Sequence, residues 1–374
     1  MNIRLFSSLL IIPIICLLIS GCSDELTLEN AATPLALGID LDENDKFNYY
    51  SSTPVYSKNS KRKSQQFGDI ANTLRQSKSK QDSHTSVSIQ GRNFQVILIG
   101  KRLLQHEDWF PLLDVLFRDA RNTVMDRVIV IDGPVSDVFF LNANNQPLLP
   151  ILLRGMVESK SKKSETYATT VQELHRQFHE KGITPYMAEV KLKKQEIRLE
   201  GSALLSEKGK YEASFGAQET VLLSILQKQA KSGISLSYRM PGKPIKSPFA
   251  TDMLSFSASK IKTKIKTSYQ NGRFHFDFQI KMIIGLSEHL FPYDISKDAK
   301  KLEKQAAEQM KAQMEKVIQI IQKHEIDPIG LGIYARAFEY KEFKKVEDNW
   351  GEAVKDADIN VKLDLTIGAM GPVK

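Results

Sequence analysis

The longest regular pattern in the chain is an apolar stripe. Leu302, Ala306, Met310, Met314, Val317 and Ile321 recur at spacings of four, four, four, three and four, which places them on one face of an otherwise charged helix. A helix is therefore predicted over 296–323, ended by Asp327-Pro328, with a second helix carrying Phe338, Phe343 and Val346 beyond Gly330 and Gly332. Before it, 260–267 alternates lysine with isoleucine or threonine, and Phe274, Phe276 and Phe278 keep the same period of two. Asn271-Gly272 between them accepts positive φ and predicts a tight hairpin. Residues 359–367 alternate once more and predict a closing strand.

The first part of the chain has a different rhythm. The apolar runs 94–99 and 128–131 predict buried strands, and Phe110, Leu113 and Phe117 between them keep helical spacing. Residues 35–41, an acidic turn and 47–50 predict a hairpin. Polar stretches at 57–64 and 77–88 predict loops, with Phe67, Ile70, Ala71 and Leu74 at helical spacing between them. Another helix is expected from about Ser136. The Lys- and Ser-rich segment 158–166 predicts a linker or loop. It is followed by a helix with Val171, Leu174 and Phe178 on one face, strands at 187–192 and 197–205 with a turn at 207–209, and a helix over 219–229.

These elements predict an α+β protein of two to three domains, with mixed and antiparallel sheets packed against helices. The expected units are an N-terminal α/β domain over 22–150, a middle α+β domain over 151–233, and a C-terminal α+β domain over 234–374 built on an antiparallel sheet and the long helix. A chain of 374 residues is long enough for several cores. No solenoid period is present.

Residues 1–21 read as a lipoprotein signal peptide. Arg4 supplies a positive start, and 9–19 is free of charge but too short to span a bilayer. Ile19-Ser20-Gly21-Cys22 then places small residues before a thiol, the arrangement that a lipid-transferring enzyme and its peptidase require. Cys22 is the expected lipidation site and the start of the mature chain. The other cysteine, Cys16, leaves with the leader, so no internal disulfide is possible. A diacyl unit supplies the second hydrophobic signal that a single acyl chain lacks, at about 0.8 kcal/mol per buried methylene.

Net charge is +8, and removing Arg4 with the leader leaves +7. That surplus favours anionic surfaces, but the export signal argues against nucleic acid. The search for chemistry yields little. His175 and His179 lie four apart on a helix near Glu173 and Glu180, yet Arg176 stands where a zinc protease needs glutamate, and a solvated helix face explains them. No G-x-S-x-G elbow, Walker loop or G-x-G-x-x-G is present. Neither a catalytic residue, a cofactor nor a metal is expected. The lysine face at 260, 262, 264 and 266 could meet anionic headgroups or wall polymers, although edge protection is the commoner role.

In this setting, several short segments in a fixed order resemble the Ger(x)C, or GerAC-like, lipoproteins, the C subunits of spore germinant receptors. They are the box ending at Gly21-Cys22, then Ala36-Leu37-Gly38-Ile39-Asp40, and Phe94–Gly100 leading to Phe117-Arg118-Asp119. In the middle stand Ile183-Thr184-Pro185-Tyr186 and Leu199-Glu200-Gly201-Ser202-Ala203-Leu204. Asp327-Pro328-Ile329-Gly330-Leu331-Gly332, Asn349-Trp350 and the alternating last strand complete the order. Ser23-Asp24 departs from the tryptophan usual after the cysteine, and Arg92-Asn93 replaces a frequent histidine.

The resemblance implies a non-enzymatic subunit held at the outer face of the inner spore membrane. Its partners would be an A-type multi-span subunit and a B-type subunit resembling an amino-acid transporter, in a complex that responds to small nutrients. The competing expectation is a solute-binding lipoprotein of a transporter, which needs two similar lobes around a cleft.

Overall fold

The computed structural model describes residues 31–369 except 56–59, 61, 86–87, 90–92, 120–121, 142–145, 243–247, 249–250 and 292–294. The leader and Cys22 lie outside the described residues. In the first part, strands β1 (Ala31–Ala32), β2 (Ala36–Leu41), β3 (Phe47–Pro54) and β4 (Ser64–Ile70) precede helix α1 (Leu74–Asp82). Next come β5 (Ser88–Ile89), β6 (Val96–Gly100), α2 (Asp114–Arg118), β7 (Arg127–Ile131), α3 (Val135–Phe139), α4 (Leu149–Ser161) and α5 (Val171–His179). Strands β8 (Tyr186–Lys193), β9 (Glu196–Leu205) and β10 (Tyr211–Gly216) then lead into α6 (Ala217–Leu226).

One eight-stranded sheet, in the order β10-β9-β8-β7-β6-β2-β3-β4, organises this region. Its centre, β8-β7-β6-β2, is parallel, and both flanks are antiparallel. The centre reads as unbroken apolar runs because it is covered on both faces. Ile97, Ile99, Val128 and Val130 meet Leu113, Leu116, Val171 and Leu174 on one side. Val96, Leu98, Ile129 and Ile131 meet Val135, Phe139, Leu153 and Val157 on the other.

Three expectations are corrected here. The segment with Phe67 and Ile70 at helical spacing is strand β4, paired antiparallel with β3 from Asn48↔Ile70 to Pro54↔Ser64. Pairing available from β3 overrides a spacing that only a few apolar residues carried. The helix begins instead at Leu74, where Thr73 accepts from Gln76 N, and it runs through part of the expected loop 77–88. Its polar residues Ser77 and Gln81 are buried, and Gln81 joins Ser51, Ser77 and the carbonyl of Tyr49. The expected linker at 158–166 is the end of α4 followed by a packed turn. Ser164 and Thr166 are buried there, and Thr166 donates to the carbonyl of Gly201. The boundary placed at 150 therefore falls inside a helix, and the sheet continues through strands on both sides of it.

The second part contains β11 (Ile234–Arg239), β12 (Met253–Gln270), β13 (Arg273–His289) and the 29-residue helix α7 (Ile295–Lys323). It closes with α8 (Leu331–Phe338), α9 (Tyr340–Val346), α10 (Trp350–Lys355) and β14 (Asp358–Ala369). The sheet order is β11-β12-β13-β14. Asn271 (φ 51°) and Gly272 (φ 78°) form the expected hairpin turn. The last strand runs parallel to β13, whereas an antiparallel sheet was expected. Helices α7 to α10, which stand between β13 and β14, make a crossover long enough to return the chain in the same direction.

Phe274, Phe276, Phe278, Ile280, Met282 and Ile284 of β13 are buried, as is the whole stripe from Leu302 to Ile321. A break in register at Ala258–Lys260 reverses the phase of β12. Even positions Leu254, Phe256 and Ala258 point inward before it, and odd positions Ile261, Thr263 and Ile265 after it. Helix α6 joins the two parts. Every residue from Thr220 to Leu226 is buried, the signature of a helix enclosed on all sides. A single core cluster runs from Ile183, Tyr186 and Phe215 through α6 to Phe256, Met314 and Trp350.

Candidate functional site

A dense set of hydrogen bonds lies where the two parts meet. The segment entering β8 brings Glu180, Lys181, Gly182 and Thr184; the turn after α7 brings Asp327 to Gly332; α10 begins with Trp350. Asp327 has no solvent exposure. One carboxylate oxygen accepts from Gly330 N at 2.8 Å, and the other accepts from Gly332 N at 2.9 Å and Trp350 Nε1 at 2.8 Å. Its backbone exchanges bonds with a residue 143 positions away: Asp327 N donates to Thr184 Oγ1 at 3.0 Å, and Thr184 N donates to Asp327 O at 2.9 Å. Gln227 donates to the carbonyl of Pro328 at 2.7 Å and accepts from Tyr167 Oη at 2.9 Å.

Two glycines make this closeness possible. A Cβ on Gly332 would stand 2.5 Å from Gly182 Cα, and one on Gly182 would stand 2.6 Å from Ile333 N. Neither backbone can yield without separating the two parts. At the rim, Arg336 holds Glu180 with two bonds of 2.7 and 2.9 Å, and Lys181 pairs with Asp348 and Glu347.

Burial pushes the carboxyl of Asp327 above the usual carboxylate range, although the surrounding N–H donors pull it down. Glu180 goes the other way: its partial burial pushes it up, but the Arg336 bond and charge, the Gly182 N–H and the charge of Arg176 together hold it below its ordinary value. A buried carboxyl group held by donors from its own turn and from Trp350, with its backbone tied to Thr184, fixes geometry; it has no open face for a substrate.

A second polar network lies at the carboxyl ends of the parallel strands, the edge at which open α/β sheets bind ligands. Lys101 reaches Asp132 at 3.1 Å and Glu189 at 3.6 Å and sits 4.2 Å from the centre of the Tyr211 ring. Lys191 pairs with Asp132, and Tyr211 and Ser214 donate to Glu189, which is 2% exposed. Burial, then the charge of Glu189, pushes Tyr211 up to about 12. The charges here neutralise one another.

The expected lipidation site, Cys22, lies outside the described residues. His175 and His179 stack at 4.1 Å against Phe110 and Phe117, and partial burial, with the second ring's charge, lowers the pKa of His175. Among the described residues no group of three His, Cys, Asp or Glu side chains is placed to hold a metal, and no helix is long and apolar enough to cross a membrane. The role of Asp327 was missed. Sequence reading took Asp327-Pro328 as a helix stop, yet Thr184, Asp327, Gly330, Gly332 and Trp350 all belong to the segments that carried the family resemblance. Their order along the chain was the available signal.

Fold and junction together define a two-part α+β protein whose parts are locked by short segments meeting around one buried carboxylate. Two family models match, "Spore germination protein N-terminal domain" over residues 24–192 and "Spore germination B3/GerAC like, C-terminal" over 200–371. Between them they span nearly the whole chain, which belongs to the Ger(x)C family of spore germination proteins. Spore germination protein B3 of Bacillus subtilis (strain 168) is 22% identical over 372 residues, covering 96% of each chain. The crystal structure of the GerBC protein matches with a TM-score of 0.60 at 17% identity, over 89% of this chain and 96% of that one. That likeness shows a shared fold.

Proposed function

We propose that the chain is the lipid-anchored, non-enzymatic C subunit of a nutrient germinant receptor, working by protein contact at the outer face of the inner spore membrane beside A-type and B-type integral subunits. The observation that carries this reading is the family match, which begins at residue 24, two residues after Cys22, and runs to residue 371. The part shared with the family therefore starts where the mature chain is expected to start. The locked junction fits a role in presenting a fixed surface to partners.

A solute-binding lipoprotein would need two similar lobes. Here one part is built on an eight-stranded mixed sheet and the other on a four-stranded one, and a single core cluster is shared by residues of both. The test is genetic. Spores lacking the chain should lose or slow their response to the nutrient of this receptor, keep their response to pressure, and recover when the gene is restored. An undiminished nutrient response, with every nutrient of a broad panel, would count against the proposal.

A further inference from the structure

The inner face of the second sheet is covered by α7; the outer face is open. Over residues 260–266, 277–283 and 360–366 the outward positions carry Lys260, Lys262, Lys264, Lys266, Lys281 and Lys362 against Asp277 and Asp364. Six cations against two anions leave a surplus of four positive charges. Among the described residues none of these lysines has an ion-pair partner.

Edge protection accounts for part of this. The half of β12 bearing the four lysines lies beyond the reach of β11, which pairs only with Met253–Ala258, and lysines on a free edge discourage sheet extension. That account does not reach Lys281. Strand β13 is hydrogen-bonded on both sides, to β12 and β14, so it has no edge to protect. Lys281 stands directly opposite Lys262 on one side and Asp364 on the other, so one anion is shared between two facing lysines and the like-charge pair, which destabilises a sheet, is only partly offset. Lys260, Lys262 and Lys281 surround a concavity of about 780 Å³ whose lining includes Ile283, Thr366 and Asp364. Ile283 is 39% exposed.

We propose that this outer face is a docking surface for a bilayer of anionic phospholipids. The array favours that occupant over a single small polyanion. Lysines two residues apart along a strand are separated by roughly 7 Å, and neighbouring strands by roughly 5 Å, so the charges are spread in two dimensions like headgroups in a leaflet. Lysine stems also lie along apolar surface while the ammonium reaches outward, and Ile283 supplies such surface at the centre. The inference rests on the membrane placement proposed above, and its test reads the face without the anchor.

The mature chain, residues 22–374, made without its leader is unacylated and can be sedimented with vesicles. It should bind vesicles containing roughly a third phosphatidylglycerol at least about tenfold more tightly than pure phosphatidylcholine vesicles. Binding should fade as salt rises from about 0.1 M to about 0.5 M. Combined Lys260→Gln, Lys262→Gln and Lys281→Gln should weaken binding about tenfold, while Lys162→Gln, Lys163→Gln and Lys194→Gln, at exposed positions of the first part, should leave it unchanged. Because the first set removes both the Lys262–Lys281 repulsion and the Lys281–Asp364 attraction, its urea midpoint should stay close to that of the parent chain, which separates lost binding from lost fold. Equal binding to both vesicle types, salt-insensitive binding, or full binding by the 260/262/281 variant would overturn the proposal. So would capture of soluble polyphosphate with no binding to either vesicle.

Discussion

Replacing Asp327 by alanine removes the acceptor for three buried donors, Gly330 N, Gly332 N and Trp350 Nε1. Each buried N–H left without a partner costs about 1–3 kcal/mol. Against that stands relief from holding an anion in a site with no solvent exposure, a cost of several kcal/mol. The net loss expected is about 3–5 kcal/mol, a large share of the roughly 5–15 kcal/mol that separates folded from unfolded domains. Asparagine keeps one carbonyl oxygen but turns an N–H toward a donor, so Asp327→Asn should fall between the two. Urea unfolding followed by circular dichroism gives the magnitude. Hydrogen exchange at Thr184, Gly330 and Gly332 gives the location, since these amides should exchange faster than those of β6 and β7. Tryptophan emission adds a third readout, because Trp350 loses the one hydrogen bond its indole makes among the described residues. If Asp327→Ala unfolds within about 1 kcal/mol of the parent chain with Gly330 and Gly332 still protected, the carboxylate does not lock the junction.

Other outcomes follow from the same geometry. Gly332→Ala should be worse tolerated than alanine at any exposed glycine, because its Cβ meets Gly182 backbone at 2.5 Å; limited proteolysis should then cut between the two parts, and an intact pattern would argue otherwise. Glu180 and Arg336 should show a coupling of about 1 kcal/mol in a double-mutant cycle with glutamine at each. Since Glu180 is held below its ordinary value, that contribution is present at neutral pH and is lost as pH falls through the acid range. Asp126 titrates with the opposite sign. Burial pushes it up to about 6, so the folded chain holds its proton more tightly than the unfolded chain does, and stability falls as pH rises from about 4 to about 6. Asp126→Asn should flatten that slope, and an unchanged pH profile would refute the assignment.

Much of this was readable before any coordinates. The stripe from Leu302 to Ile321 and the Asn271-Gly272 turn were, because each depends on residues close in sequence. The strands at 96–100 and 127–131 were too, because a sheet covered on both faces tolerates only apolar runs there. Strand β4 was not, since Phe67, Ile70, Ala71 and Leu74 satisfy a helical spacing until β3 offers a pairing partner. Nor was the packed turn after α4, whose serine and threonine look solvated in sequence but bond to Gly201 and Lys231 in the fold. The phase reversal in β12 hides in one extra residue near Ser259. Asp327 shows the limit most clearly: its partners lie 3, 5, 23 and 143 positions away, and only the first two are near enough for spacing to suggest them.

The most direct test of the account is made on spores carrying Cys22→Ala in place of the native chain. Intact-mass analysis of the spore protein should show no acyl group, the chain should be depleted from the inner membrane fraction, and nutrient-triggered germination should be impaired while pressure-triggered germination is unchanged. A native chain with an unmodified Cys22, or variant spores that germinate normally with nutrient, would contradict it.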